Sequence, residues 1–263
     1  MTKKGWIFLI ITAILALGVI LGGFVFVARD ISLRDYDGDK IEVSTMSEIR
    51  AYVDERLEGK SMFSFTDDGL ISQINRAFPQ IRVVSIERTF PDRVKVNIRQ
   101  RVANLAIVVS GGYLLADFHY QTNAITPIRY IEGAVPTDLV KVEDIDVSSY
   151  TQGLPLTTNP SLEKLCEILS VMYDIGCGDY TLPHTVERID IDYDASTTAI
   201  YMEGVGELTA LVFDHNSDIS TKVLNLLSFY SSEAGSAYRE GYILEIRFNE
   251  VTSKYEVVAY SRT

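Results

Sequence analysis

The sequence contains little of what metal-binding, disulfide-rich and hydrolytic proteins need. Its 263 residues include two cysteines and three histidines. The histidines, His119, His184 and His215, are scattered along the chain and have no neighbour at a metal-ligand spacing. The Gly-x-Ser-x-Gly and His-Glu-x-x-His motifs are missing as well. The sequence therefore predicts no catalytic residue, no metal site and no cofactor.

The two cysteines, Cys166 and Cys177, leave two alternatives open. Cys166 falls within a predicted helix, and a continuous helix would separate the two Cα atoms by about 16 Å, whereas a disulfide needs about 4–7 Å. A bridge therefore requires the chain to reverse at Gly176 or earlier. Otherwise both side chains are buried free thiols.

Basic residues are outnumbered, since 36 Asp and Glu face 24 Lys and Arg and the formal net charge is −12. This balance disfavours nucleic-acid binding, which needs a basic surface. One segment, residues 81–101, is the exception and carries six basic residues against two acids. It is either a docking face for anionic lipid or an acidic partner, or simply a solvated hairpin. The candidate contact residues of this face are Arg88, Arg93, Lys95 and Arg99.

An uncharged apolar segment runs from Gly5 to Ala28. Its 24 residues would form a helix of about 36 Å, enough to cross a hydrocarbon core of about 30 Å. A cleavable signal peptide is the alternative, but its apolar region is usually only about 7–15 residues long. We therefore expect a retained transmembrane helix, in which Gly18 and Gly22 form a Gly-x-x-x-Gly motif for helix contact. Flanking charges alone do not decide its orientation.

Residues 29–103 predict a small domain with the order strand, helix, helix, strand, strand. Apolar residues recur at helical spacing from Met46 to Leu57 and from Leu70 to Phe78. Thr45 with Glu48 predicts a capping box for the first of these helices, and Thr66 predicts the cap of the second. Val94, Val96 and Ile98 then alternate with Lys95, Asn97 and Arg99, which is typical of a strand with one buried face.

A second domain is predicted after a boundary near residues 103–105. Two amphipathic helices are expected, one around Leu162–Met172 and one around Ile219–Tyr230, the second capped by Ser217 or Asp218. Asp190, Asp192 and Asp194 alternate along a strand and suggest a wet strand face rather than a calcium loop. The predicted strands are 106–109, 113–117, 189–193, 199–202, 208–213, 242–248 and 255–260.

The order of these features resembles that of the bacterial division proteins FtsQ and DivIB, which carry a POTRA domain. The residues that match the family pattern in order are Gly38, Gly59, Phe63, Pro79, Arg88 and Pro91. Departures from the pattern are Ser61 in place of Asn, Gln100 in place of Glu, and Val102-Ala103 at the end of the last strand. Downstream, residues 114–117 with Ala124-Ile125 are similar to the segment that opens the family's second domain.

The resemblance implies an α+β protein with a cytoplasmic tail (1–4), a transmembrane helix (5–28), a POTRA-like domain (29–103) and a β domain (104–263). The function it implies is that of a non-enzymatic, single-pass type II membrane scaffold acting outside the cell membrane at the division septum. Its expected partners are FtsL-like and FtsB/DivIC-like coiled-coil membrane proteins and septal wall synthases, with no small-molecule substrate. A membrane-anchored cell-wall enzyme is the alternative, and a ligand-sensing ectodomain is a third.

The closing hairpin of the second domain is the predicted partner site. The last strand of a sheet exposes unpaired backbone donors and acceptors, which another chain can pair with. The family resemblance implies that the partner binds here, near Phe248, and adds Lys222 on the preceding helix. The complete set of predicted contact residues is Lys222, Phe248, Asn249, Tyr255, Val257 and Tyr260.

Overall fold

A computed structural model describes residues 3–20, 26–38, 40–136, 138–147, 149–174, 186–202, 205, 207–214 and 217–262. The chain divides into two compact units, Met1–Arg101 and Val102–Thr263. Each unit has its own buried apolar cluster. Six helices, α1–α6, and twelve strands, β1–β12, are found in the described residues.

The first helix, α1 (Lys3–Ile20), exposes its apolar side chains around its whole circumference. Phe8, Leu15 and Val19 are each more than 60% exposed. In the part of the chain that the structure describes, no helix is sufficiently long and apolar to cross a membrane. Gly18 lies within α1, whereas its motif partner Gly22 lies outside the described residues.

The end of the predicted transmembrane segment is not helical. Val27 forms an antiparallel bridge with Ser61, and the Ala28 amide donates to the Lys60 carbonyl oxygen at 2.9 Å. Ala28 is fully buried in the core of the first unit. Residues 26–28 therefore belong to the folded domain, because their backbone hydrogen bonds and side chains are both used there.

The first unit contains the predicted strand-helix-helix-strand-strand domain. The strand order in its sheet is β1-β3-β2, with β1 parallel and β2 antiparallel to the central strand β3. Helices α2 and α3 pack on the sheet through Ile49, Val53, Leu70 and Ile74, which are all at most 4% exposed. The elements are β1 (Asp30–Asp35), α2 (Val43–Leu57), α3 (Asp67–Ala77), β2 (Ile81–Thr89) and β3 (Arg93–Gln100).

The alternation of β3 is confirmed on one face and differs on the other. Val94, Val96 and Ile98 are fully buried, as period-2 spacing requires. On the other face Asn97 is only 3% exposed, although it was expected to be wet. Its amide donates to Ser85 Oγ at 2.8 Å and to Glu87 Oε1 at 2.6 Å, so the burial is satisfied by neighbours on β2.

Only one of the two predicted helix caps forms. The Thr66 hydroxyl accepts a hydrogen bond from the Gly69 amide at 3.2 Å, which confirms the cap of α3. The capping box of Thr45 and Glu48 is wrong, because α2 begins at Val43, three residues before the start that a cap at Thr45 requires. The carboxylate of Asp35 accepts the amides of Lys40 and Ile41 at 2.8 and 3.0 Å and fixes the chain just before the helix.

The second unit is a nine-stranded mixed sheet. The order of its strands is β12-β11-β10-β9-β8-β7-β4-β5-β6. A 3-10 turn at Tyr120–Thr122 precedes β6. The strands are β4 (Leu105–Val109), β5 (Gly112–His119), β6 (Ala124–Ile131), β7 (Val140–Glu143), β8 (Val186–Asp192), β9 (Thr197–Met202), β10 (Ala210–Phe213), β11 (Tyr242–Asn249) and β12 (Lys254–Ser261).

Helices α4 (Pro160–Asp174) and α5 (Ile219–Ser231) share one apolar cluster with the sheet, and a short α6 (Glu233–Ser236) follows. The predicted buried faces of both long helices are confirmed, including Leu165 and Val223 at 0% exposure. Strands β6 and β7 were not predicted. β6 contains Pro127, a residue that normally argues against a strand, and β7 is only four residues long.

Two smaller predictions also have an outcome. Cys166 on α4 is a buried free thiol, and Cys177 lies outside the described residues. Asp190 on β8 pairs with Arg188 at 3.1 Å, and Arg188 stacks on the Tyr201 ring. In the described ranges no group of acidic, histidine or cysteine side chains could hold a metal ion.

Candidate functional site: the β12 edge and its cleft

Strand β12 closes one edge of the nine-stranded sheet. In the described part of the chain its ladder partner is β11 alone, in an antiparallel register that places Phe248 opposite Tyr255 and Ile246 opposite Val257. The predicted hairpin is therefore present, and its last strand lies at a sheet edge. An edge of this kind offers backbone groups to another chain.

The hydrogen-bond pattern of the hairpin shows which residues of β12 direct their backbone amides and carbonyls to the open edge. The Arg262 amide donates to the Gly241 carbonyl oxygen at 2.8 Å, which makes this opposed pair a hydrogen-bonded one. Antiparallel pairs alternate between hydrogen-bonded and non-hydrogen-bonded types. Val258 opposite Glu245 is therefore of the bonded type, whereas Val257 opposite Ile246 is not. The residues whose amides and carbonyls are directed to the open edge are Tyr255, Val257, Ala259 and Ser261.

A cleft of about 480 Å³ opens beside this edge. Its aromatic wall consists of Phe248 and Tyr255, whose rings meet edge to face with centroids 5.3 Å apart. Phe248 is 55% exposed, which is unusual for a residue of its size on the core-facing side of a strand. The residues that line the cleft are Asp214, Ser217, Lys222, Glu245, Ile246, Arg247, Phe248 and Tyr255.

Lys222 of α5 lies beneath this wall rather than on the surface. Its residue is only 4% exposed, and its ammonium donates to the Asp214 carbonyl oxygen at 2.6 Å and to Ser217 Oγ at 3.1 Å. The ammonium also lies 5.4 Å from the centroid of the Tyr255 ring. Burial lowers the pKa of Lys222, and the carboxylates of Asp214 and Asp218 oppose that change. Lys222 therefore joins the start of α5 to β12.

Tyr255 completes this connection through its hydroxyl. The phenol donates to the Asp218 carboxylate at 3.0 Å. Partial burial makes the largest contribution to raising the pKa of Tyr255, and this hydrogen bond raises it further. Asp218 stands at the N-cap position of α5, as predicted, but its side chain binds Tyr255 rather than capping the helix.

The six predicted contact residues do not share one face. Lys222, Phe248, Tyr255 and Val257 lie on the α5 side of the sheet. Tyr255 and Val257 pack against the apolar cluster that α5 shares with the sheet, and Phe248 stands directly opposite Tyr255 in the ladder. Tyr260 lies on the opposite side, where Arg247 stacks on its ring at 5.1 Å. The Asn249 carboxamide accepts the Val251 amide at 2.9 Å and stabilises the hairpin turn.

The sequence reasoning missed the polar half of the cleft. Asp214 and Ser217 precede α5, and the Ser217 hydroxyl donates to the Asp214 carboxylate at 2.6 Å. Glu245 and Arg247 also border the cleft, but their side chains lie on the opposite side of the sheet, where the Glu245 carboxylate accepts two hydrogen bonds from Arg247. The alternation of Glu245 and Arg247 with Leu244 and Ile246 indicates in the sequence that these two polar side chains lie on the other face of the strand. Nothing in the sequence indicated that Asp214 would meet this hairpin.

In the first unit, Arg88 has a structural role that differs from the prediction. Its guanidinium donates to the carbonyl oxygens of Met62 at 2.5 Å and Phe65 at 3.0 Å, and pairs with Asp67. It also lies 4.2 Å from the centroid of the Phe65 ring. A charge reversal at Arg88 would therefore disturb the fold itself, because three internal acceptors would lose their donor.

The other members of the basic face also have acidic neighbours within the domain. Arg93 pairs with Asp30 at 3.1 Å, Lys95 with Glu87 at 3.3 Å, and Arg99 with Asp37 at 2.8 Å. These pairs reduce the net positive charge that the sequence segment suggested. A role for this face in partner binding stays a prediction.

Residues 41–101 match the family model described as POTRA domain, FtsQ-type. The first unit therefore contains a POTRA domain of the FtsQ type, which is a domain that mediates protein–protein interactions. This match confirms the resemblance to the FtsQ and DivIB division proteins, and it fits a scaffold role in cell division. A comparison of the chain with curated proteins found no match.

Proposed function

We propose that the protein is a non-enzymatic, membrane-anchored scaffold of the bacterial division machinery. The observation that carries this proposal is the combination of an FtsQ-type POTRA domain with a second unit whose last strand, among the described residues, is paired on one side only and lies beside an exposed aromatic cleft. In this proposal the partners are FtsL-like and FtsB/DivIC-like coiled-coil proteins, and the assembly regulates septal wall synthases.

Anchoring through the N-terminal segment is part of the proposal. The structure assigns residues 26–28 to the folded domain, which leaves Gly5 to Val25 as the uncharged run before it. Such a run would reach about 31 Å as a helix, close to the thickness of a bilayer core of about 30 Å. A helix that is apolar all round, as α1 is, suits a lipid environment better than water. The N-terminus would then be cytoplasmic and both units extracytoplasmic.

Partner binding would proceed by addition of a strand to β12. A segment of the FtsB/DivIC-like protein would pair with the outward amides and carbonyls of Val257 and its neighbours. Phe248 would supply the buried apolar contact, because aromatic side chains in a pocket contribute most to interface energy. Lys222 would act indirectly, by holding Tyr255 and the start of α5 in place.

The test uses the full chain in detergent, titrated with the purified FtsB/DivIC-like partner. Val257→Pro removes one amide directed to the open edge, so we expect weaker binding with little loss of fold. Phe248→Ala should weaken binding by at least tenfold, about 1.4 kcal/mol. The matched control is Val251→Ala in the turn of the same hairpin, where the side chain is 94% exposed and away from the edge.

Unchanged affinity of both the Val257→Pro and Phe248→Ala variants would show that the edge is not the site. A pull-down from membranes with the wild-type chain that recovers no division protein at all would contradict the scaffold function itself. Hydrolysis of wall material by the purified chain would favour the alternative of an anchored cell-wall enzyme.

A further inference from the structure

Three phenylalanines form an exposed cluster on the first unit. The ring centroids of Phe26, Phe63 and Phe90 lie 5.6 Å apart in every pair. Phe63 is 63% exposed and Phe90 is 53% exposed. The three rings come from different segments: the residues before β1, the connection between α2 and α3, and the turn between β2 and β3. An exposed cluster of three aromatic rings is a candidate interaction surface.

The backbone holds Phe26 firmly within this cluster. The Met62 amide donates to the Phe26 carbonyl oxygen at 2.7 Å, next to the bridge between Val27 and Ser61. Ala28 and Met62 beneath it are fully buried. Phe26 is therefore fixed to the domain, although it lies within the uncharged run from Gly5 to Ala28.

We propose that this cluster lies in the interfacial layer of the membrane and docks the POTRA domain directly onto the lipid surface. The proposal rests on the anchoring described above. If the run from Gly5 to Val25 spans the hydrocarbon core, Phe26 is the first residue beyond it. Each interfacial layer is about 5–8 Å thick. The ring centroids of Phe63 and Phe90 lie 5.6 Å from that of Phe26, so both rings fall within that layer or at its edge.

The interfacial location explains exposure that the fold itself does not use. Aromatic rings are enriched at the level of the lipid headgroups, where an apolar face is favourable. In water, Phe63 and Phe90 would each leave most of a large apolar ring unburied. The proposal also fixes which end of the domain faces the bilayer, namely the β2–β3 turn and the α2–α3 connection.

The opposite end of the same domain provides the control position. Strand β1 leads away from Phe26, and Tyr36 follows its last residue. Six residues of strand beyond Asp30 cover about 20 Å. Tyr36 is 56% exposed, similar to Phe90, so a tryptophan at either position tests depth in the membrane rather than burial in the protein.

The experiment measures tryptophan fluorescence of the full chain in phosphatidylcholine and phosphatidylglycerol vesicles that contain dibrominated acyl chains. Trp6 is the single native tryptophan, so a Trp6→Phe background is used. In that background Phe90→Trp should lose most of its emission to lipids brominated near the headgroup end of the chain, and less to lipids brominated near the terminal methyl. Tyr36→Trp should keep its emission in both. Phe63→Trp repeats the measurement from another segment.

If the brominated lipids quench the tryptophans of the Phe90→Trp, Phe63→Trp and Tyr36→Trp variants to the same extent, the proposal is overturned. The cluster would then be a surface for a protein. Alkaline carbonate extraction of the same vesicles separates this failure from that of the anchor. A chain that stays in the membrane without quenching refutes only the docking. A chain that is extracted refutes the anchoring on which the docking depends.

Discussion

Arg88 on β2 and Asp67 in the first turn of α3 form a charged pair that joins two elements 21 residues apart in sequence, with Nε 3.0 Å from Oδ1. Arg88 is only 21% exposed and also donates to two backbone carbonyl oxygens. Several charge-assisted hydrogen bonds from one planar guanidinium form a specific contact that lysine cannot reproduce.

We therefore expect Arg88→Ala to destabilise the POTRA domain by about 2–4 kcal/mol, because buried acceptors lose their donor. The measurement is hydrogen exchange of β2 and β3 amides in the full chain in detergent. Arg93→Ala is the matched control, since its pair with Asp30 is more than half exposed on both sides. It should cost less than about 1 kcal/mol. Equal protection in the two variants would contradict the structural role of Arg88.

The cap of α3 gives a second prediction. Thr66→Ala removes the acceptor of the Gly69 amide and should cost about 0.5–2 kcal/mol of stability. Thr45→Ala serves as the comparison, because Thr45 lies inside α2 and caps nothing. That change should be neutral or slightly stabilising, since alanine favours helix. Hydrogen exchange of the first turns of α2 and α3 measures both, and a larger loss for Thr45→Ala would reverse the assignment.

The buried thiol of Cys166 gives a third prediction. Burial, with smaller contributions from Glu163 and Glu167, raises the pKa of Cys166 to about 11 from an ordinary value of 9.0. Because the folded pKa is raised, the thiol stabilises the fold below pH 9 and this contribution is lost as pH rises toward about 11. In a Cys177→Ser background, iodoacetamide at pH 8 should modify the native chain far more slowly than the urea-unfolded chain. Equal rates in the two states would refute this environment.

A fourth prediction concerns Asn97 and Glu87. The hydrogen bond from Asn97 makes the largest contribution to lowering the pKa of Glu87 below its ordinary value of 4.5, and the hydrogen bond from Lys95 lowers it further. The stabilisation from this carboxylate is therefore present above pH 4.5 and is lost as pH falls through the lowered pKa.

Asn97→Ala should raise the pKa of Glu87 toward 4.5 in an NMR titration of the carboxyl carbons. Ser85→Ala is the control, because it removes the other partner of Asn97 and leaves the bond to Glu87 intact. A shift of equal size in the control would assign the effect to general loosening of the strand pair.

The element order of the POTRA domain was readable from sequence because each element there carries a local signal. Val94, Val96 and Ile98 repeat every second residue, and Thr66 stands directly before an amphipathic helix. The same holds for α4 and α5, whose apolar spacing identifies the buried face. These features depend on neighbours within a few residues, so one sequence is enough to predict them.

Elsewhere, distant contacts overrode the local pattern. Asp35 binds the amides just before α2, and the helix begins at Val43, ahead of the expected capping box. Asn97 reads as a wet position, but cross-strand partners on β2 make its burial favourable. The inclusion of residues 26–28 in the folded domain, although they belong to the apolar run, depends on pairing with Ser61 and Met62, more than 30 residues later.

The sequence by itself determined the POTRA domain, the apolar segment and the closing hairpin, because local periodicity and turn residues encode them. Tertiary structure alone decided how the candidate site is built. Lys222 looks like a surface cation in sequence, yet packing of α5 against the β11–β12 hairpin places it beneath Tyr255, and Asp214 joins them only through the fold. The physical reason is that these contacts depend on which strands lie next to each other, and a single strand's side-chain pattern carries no information about its neighbours.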